Sequence, residues 1–352
     1  MALNIFTSNR MEVLVECLGT IFRKPLDSPF TKEVIVVQSK GMQRWLSMEL
    51  ASRLSVWANG HYPFPNAMVQ ELFETFFSPL PDLSSFTPEV MTWKIMRLLP
   101  DLLDTPPFAT LNHYLADDHT GLKRFQLSEK IADTFDQYTL YRSSMLHEWS
   151  SAAIPESEEE AWQAMLWQKL IFDTDGKHRG ELKDIYCRRS GKSTTGAGVI
   201  PRRITLFGIS YLPKFHLDIL SAVSKVTEVN LFLLSPTREY WADISSKKAT
   251  ARLTAADRAL RSEGNPLLAS LGTIGRDFSE MIIELSDEAL LQEEEYLDPG
   301  RSTLLHALQS DILKLQGTGE DGVKGTIGSD DRSLWIHTCH SPLREIDRRA
   351  HV

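Results

Sequence analysis

The sequence predicts an α/β fold in which a helical segment interrupts a parallel sheet. Apolar, β-branched runs of this length are typical of strands buried on both faces: LNIF (3–6), VIVV (34–37), ITLFGI (204–209) and VNLFLL (229–234). After three of these runs, a polar turn leads into a pattern with helical period. Strand, turn and helix repeated in this order favour parallel strands with helices packed on the sheet. A fifth run, LWIHTC (334–339), predicts another strand.

Between about residues 66 and 190, helical patterns replace the strand-like runs. Thr87-Pro88 is a start signal for the segment FTPEVMTWKIMRLLPDLL, because proline is tolerated in the first turn of a helix. Ser128 is expected to cap LSEKIADTFDQYTLYRSSML, and ESEEEAWQAMLWQKLIF carries acids in its first turn. We therefore predict an α/β domain from residues 1–80 and 195–352, with a helical subdomain inserted at 81–194.

Composition narrows the functional classes. The chain has 352 residues, of which 42% are hydrophobic and 24% are charged. Its net charge of −9 argues against a surface that binds nucleic acid over its whole extent. No apolar run approaches the roughly 20 residues needed to cross a bilayer, and the first residues lack the layout of a signal peptide. The three cysteines form neither a metal-ligand spacing nor a disulfide framework. These features predict a cytoplasmic protein with no membrane partner.

The segment VIVVQSKGMQRW (34–45) has the strand–turn–helix layout of a phosphate-binding loop but lacks its chemistry. The turn contains one glycine, Gly41, and no Gly-Lys-Ser/Thr, while the turn after the first strand (7–10) contains no glycine. No buried strand ends in the acid that holds Mg²⁺ in nucleotide hydrolases. Gly191-Lys192-Ser193 has the residue types of a phosphate-binding loop. However, no predicted strand precedes it, and Pro201 follows instead of a helix. A nucleotide-dependent enzyme acting through that loop is the alternative hypothesis.

Two groups of basic residues are candidates for contacts with phosphate. Lys40 and Arg44 are spaced i, i+4 at the start of a helix, so both are expected to project from one edge of the sheet. A second basic stretch surrounds a flexible loop and comprises Arg188, Arg189, Lys192, Arg202 and Arg203. Each group either grips phosphates or is a solvated surface.

One face of the helix at about 128–145 has the residue types that read base edges. Its core stripe is formed by Leu127, Ile131, Phe135 and Tyr138. Asp133, Asp136 and Gln137 share another face, with Arg142 just beyond. Carboxylates accept hydrogen bonds from the cytosine amino group, and arginine reaches guanine. The alternative interpretation is a merely solvated face.

The chain resembles the RecC family, the gamma subunits of exodeoxyribonuclease V (RecBCD). Matching segments occur in family order over essentially all 352 residues: SNRMEVL, VVQSKGMQRWL, WKIMRLLP, HYLADD, FQLSEKIADTFDQYTLYR, AWQAMLWQKL, FGISYLPKFHLDIL, REYWADI, GNPLLASLGTIGRDF, LLHALQSDIL and HTCHSPLRE. The resemblance implies a superfamily 1 helicase-like (RecA-like) sheet without the ATP site. It also implies a longer protein, so we expect this chain to stop before a second helicase-like domain.

The same resemblance implies a non-catalytic DNA-binding and scaffolding subunit. Its expected partners are RecB-like and RecD-like subunits, single-stranded DNA and duplex DNA ends, with ATP and Mg on the partner subunits and no cofactor in this chain. Such a subunit splits the duplex and scans the 3′ strand for the Chi sequence during double-strand break repair. The other alternative is a pure protein-interaction scaffold without DNA affinity.

The resemblance also implies DNA-binding residues. Positions associated with Chi reading match Gln38, Asp133, Asp136, Arg142 and Arg188. Other positions differ in side chain from the better-known members, namely Lys40, Arg44, Phe64, Gln70 and Thr134. The basic differences favour contacts with the DNA backbone over contacts with bases. The predicted DNA-binding set is Gln38, Lys40, Arg44, Phe64, Gln70, Asp133, Asp136, Arg142 and Arg188, with no catalytic or metal-binding residue.

Overall fold

The computed structural model describes residues 2–28, 30–77, 79–151, 155, 157–172, 178–189, 200–245, 250, 251, 254, 264–286, 289–317, 326 and 328–349. Within these residues lies one parallel sheet of six strands, in the order β3-β2-β4-β5-β1-β6. The strands are β1 (Ala2–Ser8), β2 (Glu33–Val36), β3 (Gly60–His61), β4 (Arg203–Phe207), β5 (Glu228–Leu234) and β6 (Leu291–Glu294). The predicted α/β class and the parallel sheet are confirmed, whereas the assignment to the helicase superfamily stays a prediction.

Fourteen α-helices lie in the described part of the chain. The first seven are α1 (Met11–Phe22), α2 (Lys40–Leu54), α3 (Pro65–Phe76), α4 (Pro88–Leu102), α5 (Ala109–Leu115), α6 (Leu122–Tyr141) and α7 (Ser143–Ser150). The others are α8 (Glu158–Ile171), α9 (Arg179–Arg189), α10 (Lys214–Ser224), α11 (Pro266–Leu271), α12 (Thr273–Ser286), α13 (Leu304–Leu313) and α14 (Pro342–Arg349). None of these helices is both long and apolar enough to span a bilayer.

Helices cover both faces of the sheet, which explains why its central strands are apolar throughout. Successive side chains of a strand point to opposite faces. On one face, strand residues such as Phe6, Ile35 and Phe207 pack against α1 and α2. On the other face, residues such as Ile5 and Leu206 pack against α3, α9, α10 and α12. The loops that join strands and helices therefore lie at the two ends of the strands. We call the end where the strands finish the carboxyl edge of the sheet.

The helical segment between β3 and β4 has a hydrophobic core of its own. Buried side chains from α4, α6, α7 and α8 meet there, including Ile95, Phe135 and Trp167. The predicted run of helices and the core stripe of α6 are therefore confirmed. The division into domains stays a prediction.

Two local predictions were wrong. Helix α6 begins at Leu122, after Gly121 with φ of 78°, so Ser128 lies inside the helix, where its hydroxyl donates to the Arg124 carbonyl at 2.8 Å. The run LWIHTC forms no strand, and its Ile336 is 84% exposed. A strand must form hydrogen bonds with a neighbouring strand. The free side of β1 already pairs with β6, whose four residues, LQEE, are all exposed. Charged edge strands of this kind carry no apolar signal.

Candidate nucleic-acid interface

The carboxyl edge of the sheet is the first part of the candidate interface. All six strands are parallel, so the turns that follow them meet at one edge, where open α/β sheets bind their ligands. Gln38, just after β2, is exposed and bridges to the loop that follows β4. Its amide nitrogen donates to the Tyr211 carbonyl at 3.2 Å, and its amide oxygen accepts from the Ser210 hydroxyl at 3.2 Å. The side chain of Gln38 therefore ties two βα loops together.

The backbone after β4 turns sharply at Gly208 and so brings Ser210 and Tyr211 to Gln38. Gly208 has a φ of 62°, and a Cβ at this position would lie 2.7 Å from the terminal carbon of Met11. The left-handed backbone conformation favours glycine here, because other residues rarely adopt it.

Phe64 lies beside Gln38 because of a backbone contact between their neighbours. The Val37 N–H donates to the Pro63 carbonyl at 3.2 Å, and the next residue, Phe64, is the N-cap of α3. Its ring is 44% exposed. Gln38 and Phe64 thus form an exposed polar and aromatic pair at the end of β2.

Helix α6 reaches the same edge through two tyrosines. Burial raises the pKa of Tyr211, and the neighbouring side chain of Tyr141, the last residue of α6, raises it further. Arg142 follows Tyr141, with its guanidinium carbon 5.5 Å from the centroid of the Tyr138 ring. This contact holds the exposed cation of Arg142 against the last turn of α6.

The second part of the candidate interface is a cleft of about 460 Å³ between α3, α9 and α10. Gln70 and Arg179 line it, above an apolar floor that includes Phe73 and Phe215. Arg179 also pairs with Asp136 of α6, with Nη2 3.6 Å from Oδ1. Arg179 therefore connects two predicted site residues, Gln70 and Asp136, that the chain carries on different helices.

Asp136 lies among other acids. Burial raises the pKa of its carboxyl group, Arg179 partly offsets that effect, and Asp133 and Glu89 raise the pKa further. Asp133 itself is exposed. Glu89 belongs to α4, which packs against α6. A carboxylate in such surroundings is poised to accept a hydrogen bond or a proton.

Helices α3 and α6 join the two parts of the interface. Helix α3 carries Phe64 at its start and Gln70 in its second turn, and α6 carries Asp136 ahead of Arg142. Both helices belong to one packed assembly with α9 and α10. Gln38 and Phe64 thus lie where β2 and β3 lead into their helices, and Gln70 and Asp136 both lie near Arg179. Arg142 directly follows the end of α6.

The remaining predicted residues lie elsewhere. Lys40 and Arg44 are exposed on α2, which packs on the sheet face opposite to α9 and α10, although Lys40 begins at the same carboxyl edge as Gln38. Arg188 lies nine residues after Arg179 on α9, about 14 Å away along the helix. It lines a separate cleft of about 480 Å³.

The basic stretch around residues 188–203 is only partly available to phosphates. Arg202 is exposed and pairs with Asp27 at 2.8 Å. Arg203 is 4% exposed, and its guanidinium donates to Glu33 at 2.9 Å, so its predicted availability to phosphate is wrong. Lys192 and the tripeptide Gly191-Lys192-Ser193 lie outside the described residues.

The two βα turns with a phosphate-loop layout are built differently from a phosphate cradle. After β1, the Asn9 side chain makes hydrogen bonds of 2.8 and 3.0 Å with the Leu297 backbone, so a later segment covers the turn. After β2, the Ser39 hydroxyl accepts from the Met42 N–H at 3.1 Å, and Gly41 lies inside the helix. Within the described ranges, no group of three or more His, Cys, Asp or Glu is arranged to hold a metal ion.

Sequence reasoning missed Arg179, Tyr211 and Tyr141, which connect the predicted residues. No sequence motif identifies these three residues, because each one acts by contacting a residue that is far away in the sequence. The one available signal was the helical phase of Asp136, which places it on the border of the core stripe rather than on the open face of α6. A carboxylate at such a border needs a cation from a neighbouring element.

Fold and site together define a class: an α/β protein with a parallel sheet and a long helical insertion, whose described carboxyl edge presents polar and aromatic side chains. The model of the family "RecC, N-terminal domain" matches residues 3–315. The chain therefore belongs to the RecC family and corresponds to its N-terminal region.

Individual relatives agree with this assignment. The chain is 35% identical to the RecBCD enzyme subunit RecC of Escherichia coli K12, over 98% of this chain and 34% of that protein. It is 30% identical to the RecC subunits of Haemophilus influenzae and Mycolicibacterium smegmatis, over 97% and 99% of this chain and 35% and 31% of those proteins. The chain spans about a third of the length of these relatives.

Proposed function

We propose that the chain is the N-terminal part of a non-catalytic DNA-binding and scaffolding subunit of a RecBCD-type helicase–nuclease. In this role it helps to split duplex DNA ends and scans the 3′ strand for a Chi-like sequence during double-strand break repair in the cytoplasm. Its partners are RecB-like and RecD-like subunits, which bind the ATP and Mg²⁺. The helicase-like origin of the sheet belongs to the same proposal.

The observation that carries this proposal is a group of five side chains on α3, on α6 and on the residues next to β2 and α6, namely Gln38, Phe64, Gln70, Asp136 and Arg142. It combines amide, carboxylate and guanidinium groups, which read base edges, with an exposed aromatic ring on which a base can stack. Gln38 and Phe64 also lie at the sheet edge where α/β proteins bind ligands, while Asn9 and Leu297 cover the turn after β1. Family membership supports the same function, since the relatives are named as RecBCD subunits.

Replacing both Lys40 and Arg44 with alanine is expected to weaken binding of single-stranded DNA about 20-fold near 0.1 M salt, to a similar extent for every sequence. The reason is that two phosphate contacts of the edge would be lost, each contributing roughly 0.7 to the slope of log affinity against log salt. Fluorescence anisotropy with a labelled oligonucleotide at several salt concentrations measures both quantities.

The matched control replaces Arg23 and Lys32 with alanine. It removes the same charge from exposed residues at the end of α1 and just before β2, on the opposite edge of the sheet. We expect this variant to bind as the wild type does. Equal losses in both variants would mean that only net charge matters. No measurable binding by the wild type would instead favour a pure protein-interaction scaffold.

Arg142→Ala is expected to reduce discrimination between DNA sequences rather than overall affinity. A guanidinium that reaches a guanine contributes about 1–3 kcal/mol of preference for that base. A panel of oligonucleotides of equal length and different sequence measures the ratio of best to worst binder. Arg44→Ala is the control, for which we expect an equal loss on every oligonucleotide. If Arg142→Ala also lowers all affinities by one factor, this residue does not read bases.

A further inference from the structure

Trp93 of α4 and Phe125 of α6 form an exposed aromatic pair on the helical segment. Their ring centroids are 5.5 Å apart with an interplanar angle of 46°. Trp93 is 63% exposed, whereas Phe125 is partly buried and supports the indole from the side. A large, rigidly supported aromatic surface is thus held open to solvent.

The aromatic pair lies on the same two packed helices as Glu89 and Asp136. Glu89, at the start of α4, acts on the carboxylate of Asp136 in α6. Trp93 follows Glu89 by four residues, so it lies one helical turn further along the same face of α4, about 6 Å away. The indole therefore lies one turn beyond Glu89 on α4, and its partner Phe125 lies eleven residues before Asp136 on α6, about 16 Å along that helix.

A cation lies one turn beyond the indole. Arg97 follows Trp93 by four residues and is exposed. Glu89, Trp93 and Arg97 thus form a single exposed stripe on α4, with the aromatic residue in the middle. A planar ring next to a guanidinium is the combination by which proteins hold single-stranded nucleic acid: the ring stacks on a base and the cation contacts a phosphate.

We propose that the aromatic pair is a stacking platform for a base of single-stranded DNA, with Arg97 contacting the neighbouring phosphate. This inference rests on the proposed function and extends its path along α4. Stacking on a ring is independent of sequence, since every base has a π-face. The platform therefore holds the strand as it moves, and the residues around Asp136 and Arg142 read it.

A base is favoured over a protein partner because charges bound the apolar area along α4. Glu89 and Arg97 are both exposed, one turn to either side of Trp93. A typical protein interface buries about 800 Å² on each partner around an apolar core from which charged residues are depleted. A nucleotide, which joins an apolar base to a charged phosphate, suits an aromatic pair flanked by charged residues better than the core of a protein interface does.

The test compares Trp93→Ala and Trp93→Phe by fluorescence anisotropy, using oligonucleotides of equal length with normal bases or with a run of abasic sites. Loss of one stacked base corresponds to about 5- to 150-fold in affinity. We expect at least a fivefold loss for Trp93→Ala on normal DNA, less than a threefold loss for Trp93→Phe, and no difference on abasic DNA.

Trp335→Ala is the matched control. It deletes the same side chain, which is 66% exposed in a segment far along the chain, and it should leave DNA affinity unchanged. Circular dichroism checks that each variant is folded. Quenching of indole fluorescence by DNA provides a second measurement, because Trp93→Phe should lose part of the wild-type quenching and Trp335→Phe should keep it.

The outcomes separate the platform from the proposed function. If the wild type binds no DNA, the proposed function fails and the platform fails with it. If the wild type binds and Trp93→Ala binds equally well, only the platform is wrong. An equal loss on abasic DNA excludes stacking. If Trp93→Ala keeps DNA affinity but no longer associates with a partner subunit, the aromatic pair is a protein interface and the platform is overturned.

Discussion

Arg203→Met is expected to lower the free energy of unfolding by about 3–5 kcal/mol, because it removes one partner of a buried ion pair. Arg203 begins β4 and is 4% exposed. Its guanidinium donates to Glu33 at 2.9 Å, lies 3.2 Å from the Glu228 carboxylate and is 5.7 Å from the centroid of the Phe22 ring. Burial already raises the pKa of Glu33, and Arg203 counters that shift. Without Arg203, the carboxylate is left uncompensated in the core.

Urea unfolding followed by circular dichroism at pH 7 measures this loss. Arg202→Ala is the control, since the exposed pair of Arg202 with Asp27 is worth at most about 1 kcal/mol. The double variant Arg203→Met with Glu33→Leu should regain most of the stability, because an apolar pair of similar volume avoids the cost of burying charge. A loss below about 1 kcal/mol in Arg203→Met would show that this ion pair does not hold the strands together.

This ion pair also shows where sequence reasoning ends. Arg202 and Arg203 are adjacent basic residues and look alike in sequence, yet one is exposed and the other is buried. The difference is made by Glu33, which lies 170 residues earlier in the chain and begins the neighbouring strand β2. A local pattern contains no information about that partner, so the sequence could not separate a surface cation from a structural one.

The fold was predictable where local signals are strong. The four long apolar runs became central strands because each is buried on both faces, and the helical run became α3 to α9 because its apolar residues follow the helical period. The edges of the sheet were not predictable. Strand β3 has two residues, β6 is exposed and charged, and LWIHTC has an apolar sequence without a strand to pair with.

The candidate site was predictable only as a set of side chains. The nine residues taken from pattern and resemblance stay predictions as DNA contacts, and the structure adds how they are connected. Gln38 meets Tyr211, and Asp136 meets Arg179, through contacts between elements far apart in sequence. Such contacts depend on how α6 and α9 pack against α10, which no motif encodes.

Lowering the pH from 7 to 5 is expected to destabilise the protein through His178 and His216. His178 is 4% exposed and packs edge-on against Phe86 and Trp167, with centroids 6.0 and 5.4 Å away. Burial lowers its pKa from 6.5 to about 4, an effect that Asp184 partly offsets and His147 reinforces. Burial lowers the pKa of His216 to about 4 as well, and Arg179 adds to that shift. Both imidazoles are therefore neutral in the folded state at pH 5.

The direction of the effect follows from proton binding. Between pH 6.5 and 4 the unfolded chain binds more protons at these two residues than the folded chain does, so stability is complete above pH 6.5 and falls as the pH drops towards 4. Each histidine should contribute about 2 kcal/mol of loss by pH 5. Carboxylates with lowered pKa values, such as Asp331, act mainly below this range, because their ordinary pKa is 3.8.

Urea unfolding at pH 7 and pH 5 tests this pair, with variants that keep each site filled. His178→Phe should remove about half of the difference between the two pH values, and His178→Phe with His216→Leu should remove most of it. The exposed residue His113 provides the control, since His113→Phe should leave the pH dependence unchanged. If the double variant loses as much stability at pH 5 as the wild type, acid sensitivity arises elsewhere. If the double variant loses less stability than the wild type at pH 5, protonation of His216 weakens the packing at the cleft. Its ring nitrogen Nε2 lies 3.0 Å from Asn66 Oδ1 at the start of α3.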